Sequence, residues 1–255
     1  MSLALTPLKG VPIIRQDDIL ADILLNALPS SKILLTHDDI LVVAQKIVSK
    51  SEGRMVNITA ITPSAQAIDL AMKADKDPRV VELILQESNE VLRVRKGTII
   101  VEHKLGFICA NAGIDHSNVT ENGNEKQEYV LLLPVDPDQS ARNIREQIKQ
   151  KTGINIGVMI IDSHGRAWRN GTVGTCIGLS GLPALIDERG WKDLFGYTLQ
   201  ITVVGVADEL AAAASLMMGQ AAEGTPAVHV HGFPYPLGEG SLKELIRHKD
   251  QDMFR

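Results

Sequence analysis

Apolar residues recur along this chain at two periods, and the alternation between them outlines the secondary structure. In "QDDILADILLNAL", Ile19, Ile23 and Leu24 fall on one helical face, with Asp17 or Asp18 placed to cap the helix. "DILVVAQ" is an unbroken apolar run of strand length. "TPSAQAIDLAMKA" offers Thr62 as a cap and Pro63 at the first helical position, and "DPRVVELILQES" repeats the device with Asp77 before Pro78. "VLRVR" and "TIIVEH" flank a Lys96-Gly97 turn and predict a hairpin. "EYVLLLPV" reads as a strand. "DPDQSARNIREQIKQKTG" reads as a helix capped by Asp136 and closed by Gly153. The strongly apolar "INIGVMIID" is a strand, and "YTLQITVVGV" is another. The helix "ADELAAAASLMMG" and the strand "TPAVHVHG" follow. Helices and strands are mixed without regular alternation, so the fold class is α+β rather than a wound parallel sheet. No internal repeat or linker divides the chain, and residues 1–255 are read as one unit.

Composition narrows the possible partners. With 44% hydrophobic and 22% charged residues, the 255-residue chain has enough apolar side chains for a sizeable core. Aromatics are only 4% and the net charge is -5, which argues against nucleic acid as a partner. Cys109 and Cys176 form no metal spacing and are expected as buried thiols of a reducing cytoplasm. "MSLALTPLKG" lacks the basic start of a signal peptide, and no apolar run approaches the roughly 18 residues of a membrane span. A cytoplasmic protein with no membrane partner is expected.

The candidate chemistry lies outside the common motifs: the chain has no P-loop, no GxGxxG and no HExxH. Asp115, with Asn118, follows the apolar run of "GFICANAGIDHSNV", and Asp162, with Ser163, follows the most apolar strand. Carboxylates so placed present hard oxygen ligands to magnesium or manganese, or else cap turns as Asx residues do. The small-residue loop of "MMGQAAEGTP" allows close approach of backbone amides to phosphate, or is an ordinary helix stop at Gly219. In "VAQKIVSKSEG", Lys46 and Lys50 lie one helical turn apart, suited to one anion or simply solvated. His229 and His231 share a strand face and read as structural or pocket-lining. Trp168, between Arg166 and Arg169, marks either an anion contact or a surface turn.

Taken together, "GVPII", "VVAQKIVSKSEGR", "GFICANAGIDHSNV", "IDSHGRAWRNGTVG", "MMGQAAEGTPAV" and the tail "DQDMFR" stand in the order and spacing of one family. From Pro7 to Arg255 the chain resembles the coenzyme F420-0:L-glutamate ligases, also called F420-0 gamma-glutamyl ligases. The resemblance implies a GTP-dependent ligase that joins L-glutamate to the lactyl-phosphate side of a deazaflavin coenzyme, with a second gamma-linked glutamate as a further product. It implies the family's two-lobed α+β arrangement, with mixed and antiparallel sheets, flanking helices and an intertwined homodimer whose active site lies in a groove. It also implies magnesium or manganese and allows a monovalent cation such as potassium.

By position, the implied metal ligands are Asp115, Asp162, Ser163 and Gln220; Ser163 stands where many relatives carry threonine. The implied nucleotide contacts are Val11, Pro12, Ile13, Ile14, Gln45, Lys46, Lys50 and Asn118. The loop Met218, Gly219, Gln220, Ala221, Ala222, Glu223, Gly224 and Thr225 completes them. Asp115 and Asp162, acting through metal, and Lys50 are the implied catalytic groups. Competing readings are a related GTP-dependent amide ligase or acyl kinase acting on another carboxylate, and a nucleotide-binding protein without catalysis.

Overall fold

The computed structural model describes residues 2–116 and 128–253. It is a mixed α+β structure with several sheets and flanking helices. In chain order, the first elements are β1 (Ala4–Pro7), α1 (Leu20–Ser30), β2 (Ile40–Ala44), α2 (Gln45–Ser51) and β3 (Met55–Asn57). Next come α3 (Ala65–Ala74), α4 (Pro78–Gln86), β4 (Ser88–Arg95), β5 (Thr98–His103), β6 (Ile108–Ala110) and β7 (Tyr129–Leu131). The remainder is α5 (Pro137–Thr152), β8 (Gly157–Arg166), β9 (Arg169–Ser180), β10 (Ile186–Asp187), β11 (Val203–Val204), α6 (Val206–Met218), β12 (Ala227–His231) and α7 (Leu242–Leu245).

The principal sheet has the order β1-β12-β2-β8-β9. Only β2 and β8 run parallel; every other pairing in it is antiparallel. β2 is apolar throughout because both of its faces are covered. Leu41 and Val43 join a core with α1 and α5, while Ile40 and Val42 join a core with α6. A third core gathers Val80, Ile84, Ile99, Val101, Cys109 and Val130 from α4, β5, β6 and β7.

Local chemistry fixes several elements as expected. Asp136 accepts from the Gln139 amide at 2.9 Å, and Gly153 closes α5 at φ 74. Asp77 accepts from Arg79 N at 2.8 Å before Pro78. β4 and β5 form the expected antiparallel hairpin.

Elsewhere the structure corrects the reading. α1 begins at Leu20 and buries Leu20, Leu24 and Leu28, leaving Ile19 exposed at the N-cap; Asp18 instead accepts from Arg15 N. α3 begins at Ala65, capped by Ser64 Oγ rather than Thr62, because Ser64 reaches the Ala67 amide at 3.2 Å. Of "YTLQITVVGV" only Val203–Val204 forms a strand, pairing with β10 in a two-stranded sheet, since this stretch lies on an exposed arm away from the principal sheet. "EYVLLLPV" contributes only three residues to β7.

Cys109 and Cys176 are both buried and free; burial pushes the Cys109 thiol up to about 12 and Cys176 further up as well. His229 and His231 flank Asp39, lying 2.9 Å and 2.7 Å from its two carboxylate oxygens. Among the described residues, no helix is long and apolar enough to cross a membrane.

Candidate active site

Four chain segments meet at one end of the principal sheet because the strands that carry them end or begin there. The parallel ladder of β2 and β8 finishes at Ala44 and Ile161. β2 then passes without a loop into α2, which brings Gln45, Lys46 and Lys50 to this end. β12 runs the other way, and Ala44 N donates to Pro226 O at 2.8 Å, which sets the loop from Met218 to Thr225 beside α2. β1 leaves along β12, with Leu8 N donating to Ala227 O at 2.8 Å, and delivers Val11 to Ile14.

These segments enclose a cavity of about 470 Å³. Val11, Pro12, Ile13, Ile14, Gln45, Lys46, Lys50, Asp162, Ser163 and residues 218–225 all line it. The loop folds back on itself: Thr225 Oγ1 donates to Met218 O at 2.9 Å, and Glu223 Oε2 accepts from Ala221 N at 2.8 Å. Gly219, at φ 72, lets the Glu223 side chain pass where a Cβ would collide with it.

Asp162 does not end its strand. β8 continues to Arg166, paired with β9 alone once β2 has turned away. Strand alternation sends Asp162 and Ser163 to opposite faces. Asp162 has the parity of Ile160, on the α1 and α5 side, and Ser163 that of Ile161, on the α6 side. The oxygen donors accordingly form two pairs. Ser163 Oγ donates to Gln220 Oε1 at 2.9 Å, and Gln220 Nε2 donates to Ser215 Oγ at 3.1 Å. Asp115 belongs with Asp162.

Asp115 follows β6 after a short 3-10 turn through Asn111 and Ala112, both at positive φ. Its backbone exchanges two hydrogen bonds with Leu131, so the carboxylate stands on a fixed base. Gln45 Nε2 donates to Asp115 Oδ2 at 2.5 Å, and Lys46 Nζ lies 3.4 Å from Oδ1. Burial raises the Asp115 pKa; Lys46 opposes the shift, the negative charge of Asp162 adds to it, and the net direction is upward. The negative charge of Asp162 beside the Asp115 carboxylate favours a cation between them.

The donors are all oxygen, the kind a hard divalent ion takes: two carboxylates in one pair, and a hydroxyl and an amide carbonyl in the other. Among the described residues no three His, Cys, Asp or Glu side chains cluster as a metal site. Asn118 lies outside the described residues.

Three contributors escape a linear reading. His164 Nε2 lies 3.1 Å from Asp162 Oδ2. Phe107 packs against the His164 ring at a centroid distance of 5.1 Å and stacks on His103 at 5.2 Å. Ser215 orients Gln220. Period-two alternation from Asp162 was the available signal for His164; Phe107 and Ser215 had none, because tertiary packing alone brings them here.

Residues 10–232 match the family model described as F420-0:Gamma-glutamyl ligase. The coenzyme F420:L-glutamate ligase of Methanothermobacter thermautotrophicus is 43% identical over 257 residues, covering all of both chains. That of Methanococcus maripaludis is 48% identical over 225 residues, 88% of each chain. That of Archaeoglobus fulgidus is 41% identical over 255 residues, covering 100% of this chain and 97% of the relative.

Proposed function

The chain belongs to the F420-0:gamma-glutamyl ligase family, and from that premise we propose that it joins L-glutamate to coenzyme F420-0 at the expense of GTP. The observation that carries the reading is a cavity lined by Asp162, two lysines and a small-residue loop, with Asp115 held beside it by Gln45 and Lys46 and close enough to Asp162 to feel its charge.

A free carboxylate does not condense with an amine in water, so the acid is activated first. The γ-phosphoryl group of GTP passes to the acceptor carboxylate and GDP leaves. The amine of glutamate attacks the acyl carbon, the bond to phosphate breaks, and an amide and inorganic phosphate result. Lys46 and Lys50, one turn apart on α2, hold the phosphate charge, and backbone amides of residues 218–225 cradle the remaining phosphates. Asp115, Asp162, Ser163 and Gln220 would hold magnesium or manganese, which when bound supplies neutralisation of the charge that develops during phosphoryl transfer. Gln45 fixes the Asp115 carboxylate and so its angle toward that ion.

The same reading includes a homodimer and a cytoplasmic setting where GTP is supplied. The arm between β10 and β11 supports the dimer: it exposes Leu194, Phe195 and Ile201, an apolar surface that a second copy would cover.

The test is mass spectrometry of F420-0 incubated with the protein, GTP, L-glutamate and manganese. The expected product is heavier by one glutamyl residue, with GDP and phosphate formed in equal amounts. Oxygen-18 in the acceptor carboxylate is expected in the released phosphate. Label retained away from phosphate, with pyrophosphate as the leaving group, overturns the acyl-phosphate route. GTP turnover driven only by a different acid overturns the choice of acceptor and leaves the related-ligase reading.

A further inference from the structure

The strand that carries Asp162 runs on past the cavity into a hairpin tip with three unusual properties. Arg166 pairs with Arg169 across a turn formed by Ala167 and Trp168. Trp168 sits at φ 63, in the left-handed region that a bulky side chain rarely occupies and that turns normally fill with glycine or asparagine. The residue is 87% exposed. Among the described residues, neither flanking guanidinium is paired with a carboxylate; Arg166 reaches only the Gly171 carbonyl, at 3.5 Å.

A strained backbone that holds a large indole in solvent is unfavourable twice over, and such outliers persist where a ligand uses them. The chemistry of the tip is specific. An indole face accepts a flat ring by stacking, and two guanidiniums beside it accept anionic oxygens. The tip is also tied to the site by covalent register. Arg166 lies four residues beyond Asp162, about 13 Å along an antiparallel strand, just past a register irregularity between Gly165 and Arg166. The nucleotide cavity is lined by both Asp162 and Ser163, and Ser163 meets its loop through Gln220.

We infer that Trp168, with Arg166 and Arg169, is the docking platform for the ring end of the acceptor acid, an inference that rests on the ligase reading above. The ligand it fits is elongated, with a flat heteroaromatic ring at one end, a carboxylate at the other and a phosphate between them. The carboxylate sits at Asp162 for activation, the phosphate lies along the arginines, and the ring stacks on the indole. Ring recognition is thereby separated from the chemistry by the length of one hairpin.

Trp168→Gly isolates the ring, because glycine adopts φ 63 without strain and the hairpin is kept. Binding of F420-0 is measured by its own fluorescence anisotropy without GTP or metal, alongside ligation kinetics, melting temperature and mass in solution. Trp168→Gly is expected to melt at or above the wild-type temperature while its Kd and KM for F420-0 rise by about tenfold or more, with KM for GTP held. Trp168→Phe is expected to keep Kd within about threefold, since a smaller ring still stacks. Arg166→Gln with Arg169→Gln is expected to weaken binding and flatten its salt dependence. Unchanged F420-0 affinity in Trp168→Gly, beside a wild type that ligates normally, overturns the platform. A change in solution mass with unchanged affinity also overturns it and makes the tip a subunit contact. A wild type that neither binds nor ligates F420-0 removes the ligase reading itself, and the platform with it.

Discussion

The side-chain amide of Gln45 donates to the Asp115 carboxylate at 2.5 Å, joining residues that stand 70 positions apart in the chain. Lys46, the next residue, reaches the other carboxylate oxygen at 3.4 Å. The first turn of α2 therefore grips Asp115 from two directions, and the carboxylate is aimed before any ligand arrives. On the proposed reading, this pre-orientation is what a metal-assisted phosphoryl transfer needs from a ligand.

Asp115→Asn is expected to abolish divalent-ion-dependent turnover and leave the protein folded. Because burial and Asp162 hold the Asp115 pKa above its ordinary value, the ionised carboxylate destabilises the metal-free fold. That cost is absent below the ordinary carboxylate range, appears as pH rises through it, and is complete above the raised value. In metal-free buffer at pH 7 the variant is expected to melt at or above the wild-type temperature. Manganese is expected to raise melting in the wild type only. Near-normal ligation by Asp115→Asn would make this residue a cap.

GTP or GDP with manganese is expected to raise the melting temperature more than ATP does. A ligand at 100 times its dissociation constant adds about 2.7 kcal/mol when it binds only the folded state. Lys50→Ala is expected to shrink this shift while the unliganded melting temperature stays within a degree or two, because a partly exposed lysine contributes little to stability. Calorimetry with and without nucleotide separates the two effects; an equal shift in both proteins removes Lys50 from the site.

Buried His103 gives the fold an acid-side slope. Burial, followed by the positive charge of His164 and Arg54, lowers its pKa from 6.5 to about 4. Its Nδ1 accepts from Leu105 N at 3.0 Å, which fixes the neutral ring. Between these two pH values the unfolded chain binds a proton that the folded chain refuses, so stability falls as pH drops, by on the order of 3 kcal/mol. His103→Gln is expected to flatten the fall in melting temperature between pH 6.5 and 4. A slope unchanged in the variant would assign it to other groups.

Two glycines of β9 let helices approach both faces of the sheet. A Cβ at Gly174 would lie 2.5 Å from Ser215 Cβ and 2.6 Å from the Ala211 carbonyl of α6, and one at Gly178 would collide with Pro137 of α5. A register shift between these glycines, where Ile177 has no partner on β8, lets residues four apart face opposite helices. Gly174→Ala and Gly178→Ala are each expected to cost at least about 2 kcal/mol in urea unfolding. Gly174→Ala is additionally expected to weaken nucleotide binding, since Ser215 orients Gln220. Wild-type stability in both would show that the helices have room to move.

The sequence by itself determined whatever is enforced within one turn of chain. Asp136 and Gly153 bound α5, Asp77 and Pro78 start α4, and a Lys96-Gly97 turn closes a hairpin, because caps and turns act on amides two or three residues away. It also determined, through linear motifs, which segments carry the candidate chemistry. It misjudged the start of α1, where Ile19 and Leu20 are equally apolar and only packing selects the buried one. It equally misjudged "YTLQITVVGV", of which only Val203–Val204 pairs, in a two-stranded sheet with β10 on an exposed arm. Tertiary structure alone decided that Asp115 meets Gln45, that Asp162 pairs with His164 while Ser163 turns to Gln220, and that four segments share one cavity. Those relations depend on the β2 and β8 ladder ending at Ala44 and Ile161 while β12 begins beside them. Strand order is set by the burial of three cores at once, and no local rule of the chain encodes it.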